Sequence, residues 1–168
     1  MSTMWPGECN GFQVNPKRAA FLLSGPGGQI SVVELSKPGR LTDSAIYSII
    51  NKSKVSDFAW DPFDNERLAA ACDECVVKIW QLPNEGLTSS MEEPSFVLKG
   101  HLERLYCIKY HPYVRNLLAS ASYDRTIRLW NVETGVSMRT LTGHTDVVCE
   151  HFEIRTFECY PLISGFYN

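Results

Sequence analysis

Apolar and polar positions alternate with period two in short runs along most of the chain, and each run stops at a turn residue. Such a pattern predicts strands rather than helices. It is sharpest after Gly100-His101. Leu105, Cys107 and Lys109 alternate with Tyr106, Ile108 and Tyr110 until His111-Pro112 breaks the run. Leu117–Ser122 is a second apolar run, Tyr123-Asp124-Arg125 makes a tight turn, and residues 126–130 alternate again. After Glu133-Thr134-Gly135, Val136–Leu141 supplies a fourth strand. Upstream, residues 19–23 and 29–35 flank the glycine-rich turn 24–28, a hairpin signal, and residues 45–50 and 96–98 read as further strands. Residues 36–43 and 84–94 read as loops, and residues 1–17, rich in Pro, Gly and Asn, as a disordered tail.

The pattern repeats. Shifting the sequence by 50 lays residues 55–82 on 105–132 without a gap, placing Pro62 on Pro112, Ala71 on Ala121 and Trp80 on Trp130. His101 and His144 are 43 residues apart, and a period of roughly 40–45 residues with four strands per unit is that of WD-repeat propeller blades. The expected fold is therefore all-β, a partial WD-repeat β-propeller. It has closing strands at 19–35, full blades at 45–98 and 101–142, a stub of a third reaching 149, and an aberrant C-terminal tail at 150–168. That tail carries no Trp, no Asp turn and no second apolar strand of the repeat. A ring that does not close leaves sheet edges and faces unpaired, and repeat arrays need about three units with caps, so two blades predict marginal stability.

The resemblance to WD blades implies a buried hydrogen-bond network of His101, Asp124, Trp130 and a hydroxyl from the second strand. Ser120 and Ser122 share a parity, so either could supply it. The earlier repeat has lost these residues: Asn51 stands at the His position, Ala70 and Cys72 at the serines and Glu74 at the Asp, with Trp80 alone retained. Its indole needs another partner, and apolar packing is expected to hold this blade.

Three catalytic patterns fail on chemical grounds. A His101–Ser122–Asp124 triad would need an exposed nucleophile, an oxyanion hole and a pocket. The glycines at 25–28 are followed by no Gly-Lys-Ser/Thr and no helix, as a phosphate loop requires. Cys72 and Cys75 form a CxxC, but a zinc site needs two more ligands at related spacing, and a redox pair needs a helix N-terminus at its first Cys. A zinc or redox protein on this pair is a remote reading. No catalytic, metal or cofactor residue is therefore assigned.

Composition adds exclusions. At 168 residues, 44% hydrophobic and 21% charged, the chain has the make-up of about one globular domain. Net charge is −3 with both signs interspersed, which gives no footprint for nucleic acid. No run reaches the roughly 18 apolar residues of a membrane span. The first residues lack the charged and apolar regions of a secretory signal, and the six cysteines follow no disulfide framework. A reducing, cytoplasmic setting is expected.

The runs FQVNPKRAAFLLSGPGGQISVVELSKPGRL (12–41), VSDFAWDPFDNERLAAACDECVVKIWQLPNEGL (55–87) and EEPSFVLKGH (92–101) resemble the coronins, in particular the opening of the second propeller in members with two. The resemblance implies a non-catalytic scaffold for protein partners, with actin-filament binding, Golgi organisation and membrane traffic among the family's traits. It implies no small-molecule substrate. It also assigns the strands within 19–35 to ring closure against a last blade. Loops 61–66 and 111–116 are expected to carry contacts. The second reading is a truncated or alternatively spliced product with no independent activity.

Overall fold

The computed structural model describes residues 11–24, 27–36 and 47–144. Twelve strands form three four-stranded antiparallel sheets, and no helix occurs among the described residues. Sheet 1 comprises β1 (Phe12–Val14), β2 (Arg18–Leu22), β3 (Gln29–Glu34) and β4 (Ser48–Ile50) in that order. Sheet 2 runs β5 (Val55–Trp60), β6 (Arg67–Cys72), β7 (Val76–Gln81), β8 (Phe96–Lys99), and sheet 3 runs β9 (Leu105–Tyr110), β10 (Leu117–Ser122), β11 (Ile127–Asn131), β12 (Val136–Leu141). Each is an up-and-down meander, the unit of a propeller blade.

Sheet 1 corrects three expectations. Residues 12–14 are not tail. They pair with β2 in the register Phe12↔Phe21, Gln13↔Ala20, Val14↔Ala19. The hairpin expected to close a ring is instead the centre of a complete sheet, flanked by β1 and β4. The strand placed at the start of the 45–98 blade belongs to sheet 1, where Ile49 pairs with Ile30. The stub at 145–149, the segment 150–168 and residues 1–10 lie outside the described residues.

A local motif explains why β1 forms. Phe12-Gln13-Val14-Asn15-Pro16 has the same pattern as Phe58-Ala59-Trp60-Asp61-Pro62 and Ile108-Lys109-Tyr110-His111-Pro112. In each, an innermost strand ends at a residue whose side chain accepts backbone N–H groups of the turn beyond the proline. Asn15 Oδ1 accepts from Lys17 (2.9 Å) and Arg18 (2.7 Å), Asp61 Oδ1 from Phe63 (2.8 Å), and His111 Nδ1 from Tyr113 (3.1 Å) and Val114 (3.0 Å). A side-chain acceptor for the turn amides, with proline fixing φ, ends each strand at the same point.

The sheets stack face to face. Ala20, Ile30, Val32 and Ile49 of sheet 1 pack on Val55, Phe58, Trp60, Leu68, Ala70 and Trp80 of sheet 2. The opposite face of sheet 2, with Ala69, Ala71, Val77, Ile79 and Leu98, packs on Leu105, Ile108, Leu118 and Trp130 of sheet 3. β6 lies at the centre, and Leu68, Ala69, Ala70, Ala71 and Cys72 are each 0% exposed. Four of these five residues are no larger than cysteine, so both neighbours can approach closely. Arginines at equivalent positions bridge the sheets at one rim. The buried Arg18 donates to the carbonyls of Pro83 and Asn84, in the loop that follows β7 of sheet 2, and pairs with Glu34 (2.5 Å). Arg67 Nη1 donates to Asn116 Oδ1 beside sheet 3 (2.7 Å). Lys17 adds an ion pair to Glu66 (2.6 Å).

Candidate functional site

The polar residues singled out in the last repeat converge in sheet 3. The loop before β9 and the turn between β10 and β11 lie at one end of the sheet, since these strands are antiparallel. His101 comes from the first and Asp124 from the second. Asp124 Oδ2 accepts from His101 Nδ1 (2.8 Å), and His101 Nε2 accepts from the Ser120 hydroxyl (2.7 Å). Ser120 Oγ in turn accepts from the Trp130 indole N–H (2.8 Å). The ring tautomer follows from the neighbours, because a carboxylate can only accept and therefore faces the protonated nitrogen. Gly100 makes room for this stack, since a Cβ there would lie 2.9 Å from Arg128 Nη1 and 3.1 Å from the Trp130 ring.

Ser120, not Ser122, supplies the hydroxyl. A register shift at Ala121/Ser122 turns Ser122 toward the loop, where its Oγ contacts the carbonyl oxygens of Glu103 (2.8 Å) and Arg104 (3.1 Å) and accepts from the Asp124 N–H (3.1 Å). Ser120→Ala leaves an indole N–H and an imidazole nitrogen buried and unpaired, so a loss of about 2–4 kcal/mol is expected in urea denaturation. Ser122→Ala removes a hydroxyl that is also 0% exposed, but its partners are backbone groups of the part-buried loop and turn, so a smaller loss of about 1 kcal/mol is expected.

Electrostatics fix the protonation states. Burial works to push the Asp124 carboxyl up, but the Leu102 N–H, the Thr126 hydroxyl and the His101 ring hold it down to about 2. Burial lowers the His101 pKa below its ordinary value, against the opposing pull of Asp124. Because the folded state favours neutral His101, its contribution is complete above the unfolded value near 6.5 and is lost as pH falls through that value toward the folded one. The Asp124 contribution is complete above about 4 and lost as pH falls toward about 2. Stability should thus decline as pH falls below about 6.5, and His101→Gln should flatten that decline in denaturation series at stepped pH.

The earlier repeat has its own lock. Trp80 Nε1–H donates to Asn51 Oδ1 (3.2 Å), and Asn51 Nδ2 donates to the Gly28 carbonyl of sheet 1 (2.9 Å). Lys78 Nζ donates to the Asn51 carbonyl (2.5 Å) and pairs with Glu74 (3.1 Å). The expectation that apolar packing alone holds this blade is therefore corrected. One amide replaces imidazole and serine together, because its oxygen serves the indole while its nitrogen reaches the neighbouring sheet. Gly28 is required for that contact, with φ +56 and a Cβ that would meet the Ser53 carbonyl oxygen at 2.0 Å.

The same geometry bears on chemistry. Ser120, His101 and Asp124 have the connectivity of a triad, but Ser120 is 0% exposed and its oxygen already accepts from Trp130. No substrate carbon can reach it. Cys72 ends a strand, and burial raises its thiol to about 11, so it is held protonated. Cys75 occupies a left-handed turn position (φ 63) equivalent to Arg125 (φ 63). No group of three or more His, Cys, Asp or Glu among the described residues could hold a metal.

The opposite end of the sheets carries the loops expected to make contacts. Asp61 and His111 are buried there as turn acceptors, whereas Tyr113 is 79% exposed. Val114 and Phe63 are partly exposed beside it, and the Arg115 guanidinium lies 5.3 Å from the Phe63 ring centroid.

Comparison with known proteins agrees with this architecture. The family described as WD domain, G-beta repeat matches residues 92–131, and a domain of unknown function, DUF1899, matches residues 1–40. Coronin-7 of Homo sapiens is 44% identical over 143 residues, covering 85% of this chain and 16% of that protein. The coronin-like protein crn1 of Schizosaccharomyces pombe is 34% identical over 151 residues, covering 85% of this chain and 24% of its own length. The chain belongs to the coronin family. The WD40 domain from Toxoplasma gondii coronin superposes with a TM-score of 0.75 at 30% identity, covering 87% of this chain and 37% of that one. The three sheets thus correspond to part of a coronin propeller, and this chain spans about one sixth of the coronin-7 relatives it matches.

Proposed function

We propose that this coronin-family chain is a non-catalytic scaffold for protein partners, with actin filaments and the machinery of Golgi organisation and membrane traffic as its partner classes and the cytoplasm as its location. The observation that carries the reading is the rim formed by loops 61–66 and 111–116. Its backbone is pinned by the buried Asp61 and His111 while Tyr113, Phe63 and Arg115 face outward. Exposed aromatics and arginine on a rigid base are the residue types that dominate protein interfaces. The partner classes come from the family resemblance, not from the rim. Co-sedimentation with actin filaments at physiological salt tests the actin part. Pelleting above background that falls at least several-fold in a Tyr113→Ala, Arg115→Glu double variant supports it, and pelleting at background removes actin from the proposal.

A further inference from the structure

The three turns that end the innermost strands use three different acceptors. Asn15 and Asp61 present oxygens, whereas the buried His111 presents a ring nitrogen. An amide oxygen accepts at any pH, and a carboxyl group keeps an acceptor oxygen when protonated. Imidazole differs. The Tyr113 and Val114 N–H groups both donate to His111 Nδ1 (3.1 and 3.0 Å), so that nitrogen carries no proton and the neutral ring holds its one on Nε2. A second ring proton would go to Nδ1, and a nitrogen bearing that hydrogen accepts nothing.

The loop beyond is anchored at both ends. The His111 N–H donates to the Leu117 carbonyl (2.9 Å). Asn116 accepts from Arg67 of sheet 2 (2.7 Å) and donates to Glu133 (2.6 Å). Between these anchors, the two bonds to Nδ1 are the ones that hold the backbone of residues 112–115 among the described residues. Tyr113 meets the imidazole edge-on, with ring centroids 6.3 Å apart. The charged groups of the surrounding elements are Arg115 on the loop, Lys109 on β9, Glu133 after β11, and Arg67 with its partners Asp61 and Asp64 at the same rim of sheet 2. None of these charges shifts the ring. Burial lowers its pKa below the ordinary value, so its hold on the loop is complete above about 6.5 and is lost as pH falls through that value toward the folded one.

We propose that His111 is a proton-operated latch on the rim: a second proton on its ring breaks both contacts and releases residues 112–115, which carry Tyr113 and Arg115. The latch is closed at neutral pH and opens on acidification, the range in which histidine changes charge. Release stays local, because Asn116 and Leu117 keep their partners. That the released residues dock a partner rests on the function proposed above. The release itself does not.

Amide exchange and imidazole resonances of the 168-residue chain, followed from about pH 7.5 to about pH 5 and corrected for intrinsic exchange, test the latch. Protection at Tyr113 and Val114 should fall at least about fivefold in step with the His111 titration. The Phe63 amide, held by Asp61, should keep its own. His111→Asn puts the acceptor of the Asn15 turn in the same place and should hold both amides across the whole range. Unchanged protection at Tyr113 and Val114 while the ring titrates overturns the proposal, as does a ring that stays neutral down to about pH 5. So does an equal fall at Phe63, which would place the loss in global stability through His101. A fall that persists in His111→Asn overturns it too. These readouts involve no partner, so a failed latch and a failed actin assay are separate results.

Discussion

Trp130→Ala is expected to destabilise the chain by about 3–5 kcal/mol, the range for removing a fully buried large aromatic side chain. Trp130 is 1% exposed and packs in the interface between sheets 2 and 3, with Leu105, Ile108 and Leu118 around it. Truncation there removes apolar contacts on both sheets and at once takes away the donor to Ser120 Oγ, which keeps its bond to His101. Trp130→Phe helps to separate the two effects, since it keeps one aromatic ring in the interface while deleting the N–H and part of the indole volume. Its loss should be nearer about 1–2 kcal/mol, set by the lost donor and a residual cavity. Urea denaturation followed by tryptophan-independent circular dichroism checks both. Equal losses for the two variants would show that packing contributes little at this position.

Arg18→Met carries the second large effect. The guanidinium is 0% exposed and links β2 to Glu34, to the Pro83 and Asn84 carbonyls, and so to sheet 2. Methionine keeps part of the stem but leaves a carboxylate and two carbonyls without their donor. Removing one member of a buried pair costs about 3–5 kcal/mol. The lower end of that range applies here, because the Glu34 side chain is 17% exposed and can regain water. The loss should be local, appearing as faster amide exchange in β2 and β3 while sheet 3 keeps its protection. A uniform loss over all three sheets would mean that sheet 1 and sheet 2 unfold as one unit with sheet 3.

The two later sheets were legible because their strands are long enough to show period two and because the offset of 50 aligns apolar, proline and tryptophan positions together. Sheet 1 was not, for physical reasons that can be named. β1 has three residues, two of them exposed, so it carries no alternation to read. Its signal was the Asn15-Pro16 pair, equivalent to Asp61-Pro62 and His111-Pro112, and visible only when all three turns are compared by the acceptor that precedes proline. β4 was read as a strand but placed with the wrong sheet, because strand pairing is not local.

Within the candidate site, His101, Asp124 and Trp130 could be named from the repeat, whereas the choice of hydroxyl could not. Ser120 and Ser122 have the same parity, and only the register shift beside Ser122 redirects its oxygen. Asn51 was noticed as a substituted position and its consequence misjudged. Its amide satisfies Trp80 and Gly28 simultaneously, a geometry that depends on where sheet 1 sits. With sheet 1 counted as a blade, the chain holds three stacked units, about the number that repeat arrays need for stability.

Amide exchange over residues 11–36, compared with 55–99 and 105–141 in the same sample, tests most directly whether the chain is three packed blades. Protection in β2 and β3 comparable to that in β6 and β7 is the predicted result. Exchange of 11–36 at the rate of an unfolded peptide, with the later two sheets protected, would contradict it and return those strands to a closing role that waits on a partner.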